Sequence, residues 1–194
     1  MPRYVSCKLP IISTGGGMHI GKLVSIVLGC TVAAPFFAQA PARGGAASAP
    51  QVSANLLQLM RGILYPASNI AFFVQDKDPT SVKPEGDPST SVNPLASSYG
   101  GWTAVENAGL ALAEAANLLS IPGRKCANGR PVPIQNPDWP KFVQGLREAG
   151  MTVYKAAQTK NQDKMLEAAD AMSTACANCH DKYREKPNLE ARCQ

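Results

Sequence analysis

The 194-residue sequence predicts an all-α fold arranged as a four-helix bundle. Alanine is abundant, while aromatic residues make up 6% and charged residues 17% of the chain, a composition that suits helices better than a β-sandwich. Four segments carry apolar residues spaced three and four positions apart, which is the period of one helix face. Stretches rich in proline and glycine separate the four segments.

The first segment runs from about Ser53 to Val74 and contains a proline. The ring of Pro66 would press on the carbonyl group of Gly62, so we expect a kinked helix and not a stop. The apolar stripe of this segment consists of Leu56, Met60, Ile63, Ala67, Ile70 and Val74. Residues 75–101 follow with four prolines and no apolar period, and we expect a crossover or a floppy excursion there.

The second segment runs from Trp102 to about Leu119, and Ile121-Pro122-Gly123 ends it. Its stripe consists of Trp102, Val105, Gly109, Leu112, Ala116 and Leu119. A second connector over about 120–136 leads to the third segment, which begins near Pro137. The stripe of the third segment consists of Trp139, Phe142, Val143, Leu146, Ala149, Val153 and Ala157.

A short turn around Lys160-Asn161 leads into the fourth segment, which runs from about Gln162 to Lys186 before Pro187 stops it. Its stripe consists of Met165, Ala169, Met172, Cys176, Cys179 and Tyr183. The two cysteines therefore continue the apolar face of the helix, and whatever they bind should lie inside the bundle.

The stretch Cys176-Ala177-Asn178-Cys179-His180 has the C-x-x-C-H form of a c-type haem attachment sequence. Two thiols that add to the vinyl groups of one porphyrin must lie about one helical turn apart on one face, which i and i+3 achieve. The histidine at i+4 projects toward the same porphyrin and can bind its iron. The motif predicts one covalently attached haem c per chain, with Cys176 and Cys179 as attachment residues and His180 as the iron ligand.

Two other uses of this motif fit the sequence less well. A zinc site would need two more ligands, and there is no second C-x-x-C and no other usable histidine. A thioredoxin-like redox pair would follow a strand in a βαβ unit, and nothing in the sequence is typical of a strand.

Residues 1–40 have the features of a signal peptide, which predicts a periplasmic protein. Lys22 precedes an apolar stretch from Leu23 to Ala38, and Ala38-Gln39-Ala40 has the small-x-small form of a cleavage site. Val27-Leu28-Gly29-Cys30 resembles a lipoprotein box, so lipid anchoring through Cys30 is a less favoured alternative. Residues 41–52 are rich in alanine, glycine and proline and predict a disordered lead-in to a domain over 53–186, with a tail over 187–194.

The four segments, with the motif and its continuation Asp181-Lys182-Tyr183-Arg184, resemble the class II c-type cytochromes, the cytochrome c′ group. The resemblance covers roughly Ser53 to Lys186. It implies an antiparallel bundle with haem near the C-terminal end of the fourth helix, His180 as proximal ligand and a distal side covered by the first helix. The long first connector and Cys126 depart from the family pattern.

The residue opposite His180 decides the behaviour of the iron. The only other histidine, His19, lies in the export segment, while Met165 and Met172 precede His180 on its own helix. Met60 lies on the stripe of the first helix, where the family has its distal residue. As a ligand it would give a six-coordinate haem suited to electron transfer; otherwise Met60, Leu56 or Leu57 only covers an open iron that could bind a gas.

Several basic residues have two interpretations. Arg184 lies one turn after His180, and the family pattern puts such a side chain near the proximal imidazole, although a cation there also suits the helix dipole. Arg124, Lys125 and Arg130 in the second connector could neutralise haem propionates or face an acidic partner, but a solvated loop is the favoured interpretation.

Cys126 and Cys193 remain as two cysteines beyond the haem pair in an exported protein. In an up-and-down bundle the second connector and the end of the fourth helix lie at the same end, so these thiols could meet. An oxidising compartment favours pairing. The disulfide and two independent cysteines stay equally open alternatives.

The overall charge excludes some partners. From Pro41 onward the chain has 16 Lys and Arg against 14 Asp and Glu and no basic run, which does not fit nucleic-acid binding. We expect a non-enzymatic electron carrier between redox partner proteins, with binding of nitric oxide or carbon monoxide as the alternative. Entry of electrons into a larger complex and a homodimer are further expectations.

Overall fold

The computed structural model describes residues 50–193, which form four helices with no β-strand among them. The first helix comprises α1 (Leu56–Leu59), a π-helical turn (Met60–Leu64) and α2 (Tyr65–Phe73). The other three helices are α3 (Trp102–Leu119), α4 (Trp139–Gln158) and α5 (Gln162–Tyr183). The first helix packs on α3, α3 on α4, and α4 on α5. The all-α prediction is therefore confirmed for the described residues, and their packing is compatible with a helical bundle.

Residues 1–49 and Gln194 lie outside this part of the chain. The predicted signal peptide, most of the predicted lead-in, His19 and Cys30 therefore also lie outside it. Within residues 50–193, no helix combines the length and the apolar character needed to cross a membrane.

The first helix begins with a capping box and passes through its proline. The Asn55 side chain accepts a hydrogen bond from the Gln58 amide (2.8 Å), and the Gln58 side chain accepts one from the Asn55 amide (2.9 Å). The Tyr65 N–H bonds back five residues to the Met60 carbonyl, which closes a π-helical turn immediately before Pro66. The expectation that Pro66 does not stop the helix is confirmed.

The π-helical turn corrects one part of the predicted stripe. Ile63, which was expected on the buried face, is 38% exposed, whereas the following residue, Leu64, is buried. A π-helical turn contains one more residue than an α-helical turn would use at this level, so the buried face moves on by one position.

The other three stripes agree closely with the buried faces. All six stripe residues of α3 are buried, and in α4 only Phe142 is half-buried. In α5 the two cysteines of the stripe are half-buried and its other members are buried. The spacing of apolar residues was therefore sufficient to predict which face of each of these helices is buried.

Residues 75–101 are not the floppy excursion that was one of the two expectations. They contain three 3-10 turns, each preceded by Asp or Asn side chains that accept a hydrogen bond from the backbone: Pro79–Ser81, Pro88–Thr90 and Pro94–Ala96. Pro79 and Leu95 are buried. The Trp102 indole N–H donates to the Thr80 hydroxyl at 3.0 Å, which fastens the connector to the start of α3.

Two glycines allow α3 and α4 to pack so closely that the backbone of each helix contacts the other. A Cβ atom at Gly150 would lie 2.6 Å from the Ala113 backbone nitrogen, and one at Gly109 would lie 2.6 Å from the Tyr154 backbone nitrogen. Real side chains do not tolerate such distances to a backbone, so each position requires glycine for packing.

We predict that Gly150→Ala lowers the free energy of unfolding by about 1–3 kcal/mol, because α3 and α4 must move apart to admit the methyl group. Gly145→Ala is the matched control on the same helix, since its Cβ would meet nothing within 4 Å. Alanine there should stabilise the helix by roughly 0.5–1 kcal/mol. Urea unfolding of both variants measures the difference, and equal stabilities would contradict the close approach.

Candidate functional site

A cavity of about 980 Å³ opens among the first helix, α3, α4 and α5. This volume is at the upper end of the range of about 300–1,000 Å³ found for ligand pockets. Most of its wall is apolar. Residues from α3 and α4 that line it are Leu112, Leu119, Trp139, Phe142, Val143 and Leu146.

Cys176, Cys179 and His180 all line this cavity from the last two turns of α5. Deeper along the same helix face, Met165 and Met172 are fully buried against the other helices. This face of α5 therefore packs in the core up to Met172 and lines the cavity from Cys176 onward. Both cysteines are half-buried and neither is in a disulfide.

Burial raises the pKa of the Cys176 thiol, and burial, with the nearby Cys176 and Asp138, raises that of Cys179 to about 11. Both groups are therefore neutral thiols near pH 7. Reactive thioredoxin-like pairs depend on a lowered thiol pKa, so these surroundings do not favour that alternative.

The surroundings of His180 favour its neutral imidazole. Burial lowers its pKa first, and the Arg184 charge lowers it further. Its side chain forms no hydrogen bond with any other residue in the range 50–193, so the one ring nitrogen that carries no proton in the neutral form is free to accept a bond.

Met60 lines the same cavity from the π-helical turn of the first helix. Among the methionines that the structure describes, it alone does so: Met165 and Met172 are buried in the core, and Met151 lies outside the cavity wall. Leu56, Leu57 and Leu64 flank it on that wall. The structure brings Met60 and His180 to one cavity, and whether Met60 binds iron stays a prediction. Segments of π-helix often occur at functional sites.

A polar and aromatic cluster around Tyr183 holds the last turn of α5, and its partners were not predictable from the sequence. The Tyr183 hydroxyl donates to the Asp138 carboxylate and accepts from the Asn136 side-chain amide at 3.2 Å. Its ring meets the Trp139 ring edge-on, with centroids 5.1 Å apart, and the Phe142 ring at 6.1 Å. Tyr183 thus holds the last turn of α5 against the start of α4.

A disulfide joins Cys126 to Cys193, with their Cα atoms 4.9 Å apart. Of the two open alternatives for these cysteines, the structure therefore has the pair. The Cys193 amide also donates to the Tyr183 carbonyl at 2.8 Å, and Cys193 lines the cavity. A cross-link over 67 positions contributes on the order of 4 kcal/mol in the chain-entropy account.

The basic residues of the second connector do not all lie in a solvated loop. Arg124 is buried, and its guanidinium donates to the carbonyls of Leu118 (3.0 Å) and Ala54 (2.5 Å). It therefore ties the end of α3 to the residues just before the first helix and is not available to a propionate. Lys125 and Arg130 are exposed, as expected.

Arg184 lines the cavity and forms an ion pair with Glu185 at 2.5 Å. Its side chain is about half exposed, so this pair contributes little to stability. A contact between Arg184 and a proximal imidazole stays a prediction.

No three His, Cys, Asp or Glu side chains within residues 50–193 come together as a metal-binding cluster. Comparison with models of protein families, with curated proteins and with solved structures finds no match to this chain. The likeness to class II c-type cytochromes therefore rests on the residues of this chain alone.

The Asp138–Tyr183 hydrogen bond should make stability depend on pH. The Tyr183 hydrogen bond holds the pKa of Asp138 below its ordinary value. The stabilisation from this hydrogen bond is thus complete above the pKa of Asp138 in the unfolded chain, about 3.9. It is lost as the pH falls through the lower pKa of Asp138 in the folded protein. We predict that Tyr183→Phe destabilises the protein most above about pH 5, and that the difference from wild type shrinks toward about pH 2.

Urea unfolding across this pH range measures the effect. Tyr154→Phe is the matched control, because the Tyr154 hydroxyl meets the Gln158 amide and no carboxylate. A Tyr183→Phe difference that is constant with pH, like that of the control, would show that the carboxylate hydrogen bond does not contribute.

Proposed function

We propose that this protein is a periplasmic monohaem c-type cytochrome that carries single electrons between redox partner proteins. The observation that carries the proposal is the joint position of Cys176, Cys179 and His180 on one largely apolar cavity of about 980 Å³. The attachment sequence alone would allow an exposed motif, whereas this cavity could take up a porphyrin.

The residues present fit a covalent haem. Cys176 and Cys179 are both free, neutral and one helical turn apart, as the addition of two thiols to two vinyl groups of one ring requires. In each addition the sulfur bonds to one vinyl carbon and the proton goes to the other, so no oxidant is needed. Haem, when bound, supplies a one-electron iron couple.

The remaining residues of the cavity would orient the ring and exclude water. His180 offers a neutral imidazole, fixed in place because the following turn is held by Tyr183. Leu112, Leu146 and Phe142 make an apolar wall, which disfavours extra charge on iron and helps to set its potential. Arg184 remains the candidate contact on the proximal side.

Whether Met60 binds iron decides between electron transfer and the second candidate function. If its thioether binds iron, the haem is six-coordinate and suits electron transfer. The second candidate, binding of nitric oxide or carbon monoxide, is favoured by one observation: Leu56, Leu57 and Leu64 surround Met60 on the cavity wall and offer apolar cover to an open iron.

The finer architecture belongs to the same proposal. The contact of Tyr183, at the end of α5, with Asp138, just before α4, supports an antiparallel order of these two helices. We propose that this bundle acts as a non-enzymatic carrier, alone or as a homodimer, or as the electron-entry subunit of a larger complex.

The first experiment tests attachment. Protein produced in a periplasm that matures haem c should carry one haem that survives acid–acetone extraction and denaturing electrophoresis. Cys176→Ala and Cys179→Ala should each leave a single thioether, seen as a shifted pyridine haemochrome band, and the double variant should retain no covalent haem. Correctly exported wild-type protein without covalent haem, made beside a control cytochrome that matures, would overturn the proposal.

The second experiment tests Met60. We predict that the reduced protein has a low-spin spectrum that ignores carbon monoxide, and that Met60→Leu turns it high-spin and makes it bind the gas. The potential should fall in the same variant, since thioether ligation raises it. Met151→Leu is the control because Met151 does not line the cavity. A wild-type protein that is already high-spin and binds carbon monoxide would favour the gas-binding function.

A further inference from the structure

Two separate pieces of the chain meet at the end of α5 and form one surface. They are residues 124–141, which include the second connector and the first turn of α4, and residues 181–193, which include the last turn of α5 and the tail. We name this surface the basic end.

Covalent and hydrogen bonds hold the two pieces together. The Cys126–Cys193 disulfide links them directly. The Asn128 side-chain amide donates to the carbonyls of Glu190 (2.9 Å) and Arg192 (2.8 Å). The Tyr183 hydroxyl donates to Asp138, so the start of α4 belongs to the same surface. The basic end is therefore a fixed structure and not two independent loops.

Charge is segregated toward this surface. The basic end carries eight Lys or Arg against four Asp or Glu, a formal charge of +4, whereas the other described residues carry seven against ten, or −3. The small charge of the whole domain therefore conceals an electrical dipole along the molecule. A dipole of this kind orients a charged partner before contact.

Most of the cations at the basic end are not neutralised. Within the described residues, only Lys182 and Arg184 form ion pairs with an acid, and Arg124 is buried. Arg130 donates to the Glu190 carbonyl and Arg192 to the Lys186 carbonyl, which orients both guanidinium groups without cancelling their charge. The cations left over are Lys125, Arg130, Lys141, Lys186 and Arg192.

An exposed apolar residue lies among these charges. Leu189, in the tail, is 66% exposed and begins a 3-10 turn held by the Asn188 side chain. A small apolar centre within a polar rim is typical of protein interfaces. The surface also borders the cavity, because Tyr183, Arg184 and Cys193 line it.

We propose that the basic end is the docking surface for a redox partner protein that presents an acidic surface. The inference deepens the proposed function and rests on it, because docking here places the partner beside the cavity that would hold haem. Complementary charge gives fast, orientated and salt-sensitive encounter, which suits a carrier that must bind and leave quickly.

The same charges fit two other anionic partners less well. Nucleic acid would call for a continuous basic run, and four acidic residues interrupt this surface. A membrane surface would call for an amphipathic helix with several exposed apolar residues, and the tail offers Leu189 with a short 3-10 turn. An acidic protein is therefore the partner to which we commit.

The experiment uses the mature holoprotein on a gold electrode covered with a carboxylate-terminated alkanethiol monolayer, which acts as the acidic probe. A quartz crystal microbalance measures adsorption, and cyclic voltammetry measures electron transfer. We expect the double variant Lys125→Glu/Lys141→Glu to adsorb on the order of tenfold more weakly at low salt, and its interfacial electron-transfer rate to fall.

The matched control is Lys77→Glu/Lys83→Glu, which makes the same change in net charge at two exposed positions of the first connector. That connector follows Val74, whose carbonyl accepts a hydrogen bond from Gln162 at the opposite end of α5. The control should adsorb nearly as well as wild type. Equal loss in both double variants would overturn the proposal, since only overall charge would then matter.

Further outcomes separate this inference from the proposed function. The microbalance reading does not depend on haem, so a difference between the variants decides whether the basic end binds an acidic surface even if no haem is attached. Absence of haem would contradict the proposed function and the redox role of the partner, but not the acid-binding surface. Haem-containing protein that adsorbs through the basic end but gives no faradaic current would overturn the redox docking role. In a last outcome, the protein binds phosphatidylglycerol vesicles as strongly as the carboxylate monolayer and loses that binding in Lys125→Glu/Lys141→Glu. That result would assign the surface to a membrane and overturn the proposal of a protein partner.

Discussion

Everything at the candidate site depends on helix α5 keeping one apolar face over its whole length. Met165 and Met172 anchor this face in the core, and the same helical period brings Cys176 and Cys179 to the wall of the cavity. The helix must therefore stay regular up to its final turn, where helices ordinarily fray. Three sets of contacts hold that turn: the hydrogen bond of Tyr183 to Asp138, the aromatic packing of its ring, and the disulfide that follows at Cys193.

The sequence was sufficient to predict what depends on periodicity. The buried faces of α3, α4 and α5 follow the spacing of their apolar residues, and the motif lies on the face where that spacing put it. The shift from Ile63 to Leu64 was not predictable in this way, because it depends on a backbone hydrogen bond of Tyr65 that the apolar pattern does not encode. Pro66, four residues after Gly62, indicated that the helix is irregular at this position. It did not indicate that the irregularity is a π-helical turn.

Long-range polar contacts were the other part that the sequence could not supply. Arg124 looked like one of three solvated cations, but it is buried because two backbone carbonyls, of Leu118 and Ala54, converge on its guanidinium. Neither acceptor is recognisable as such in the sequence, since every residue has a carbonyl. The pairing of Asp138 with Tyr183 was hidden for a similar reason, because 45 positions separate them and only the fold brings them together.

The position of the charge relative to the cavity links the two proposals physically. An apolar cavity would favour the reduced haem core, which is uncharged, over the oxidised core, which carries one positive charge, and the cations of the basic end along one edge of the wall would add to this preference. Lys125, Arg130 and Lys141 are exposed to solvent, so salt would screen their effect on a bound haem, and their effect on an approaching partner would be strongest at low salt. Docking of an acidic surface would remove water from these cations and at the same time offset their charge. The driving force for electron transfer would then differ between the free and the docked protein, because the partner's acidic surface would offset the positive charge beside the cavity.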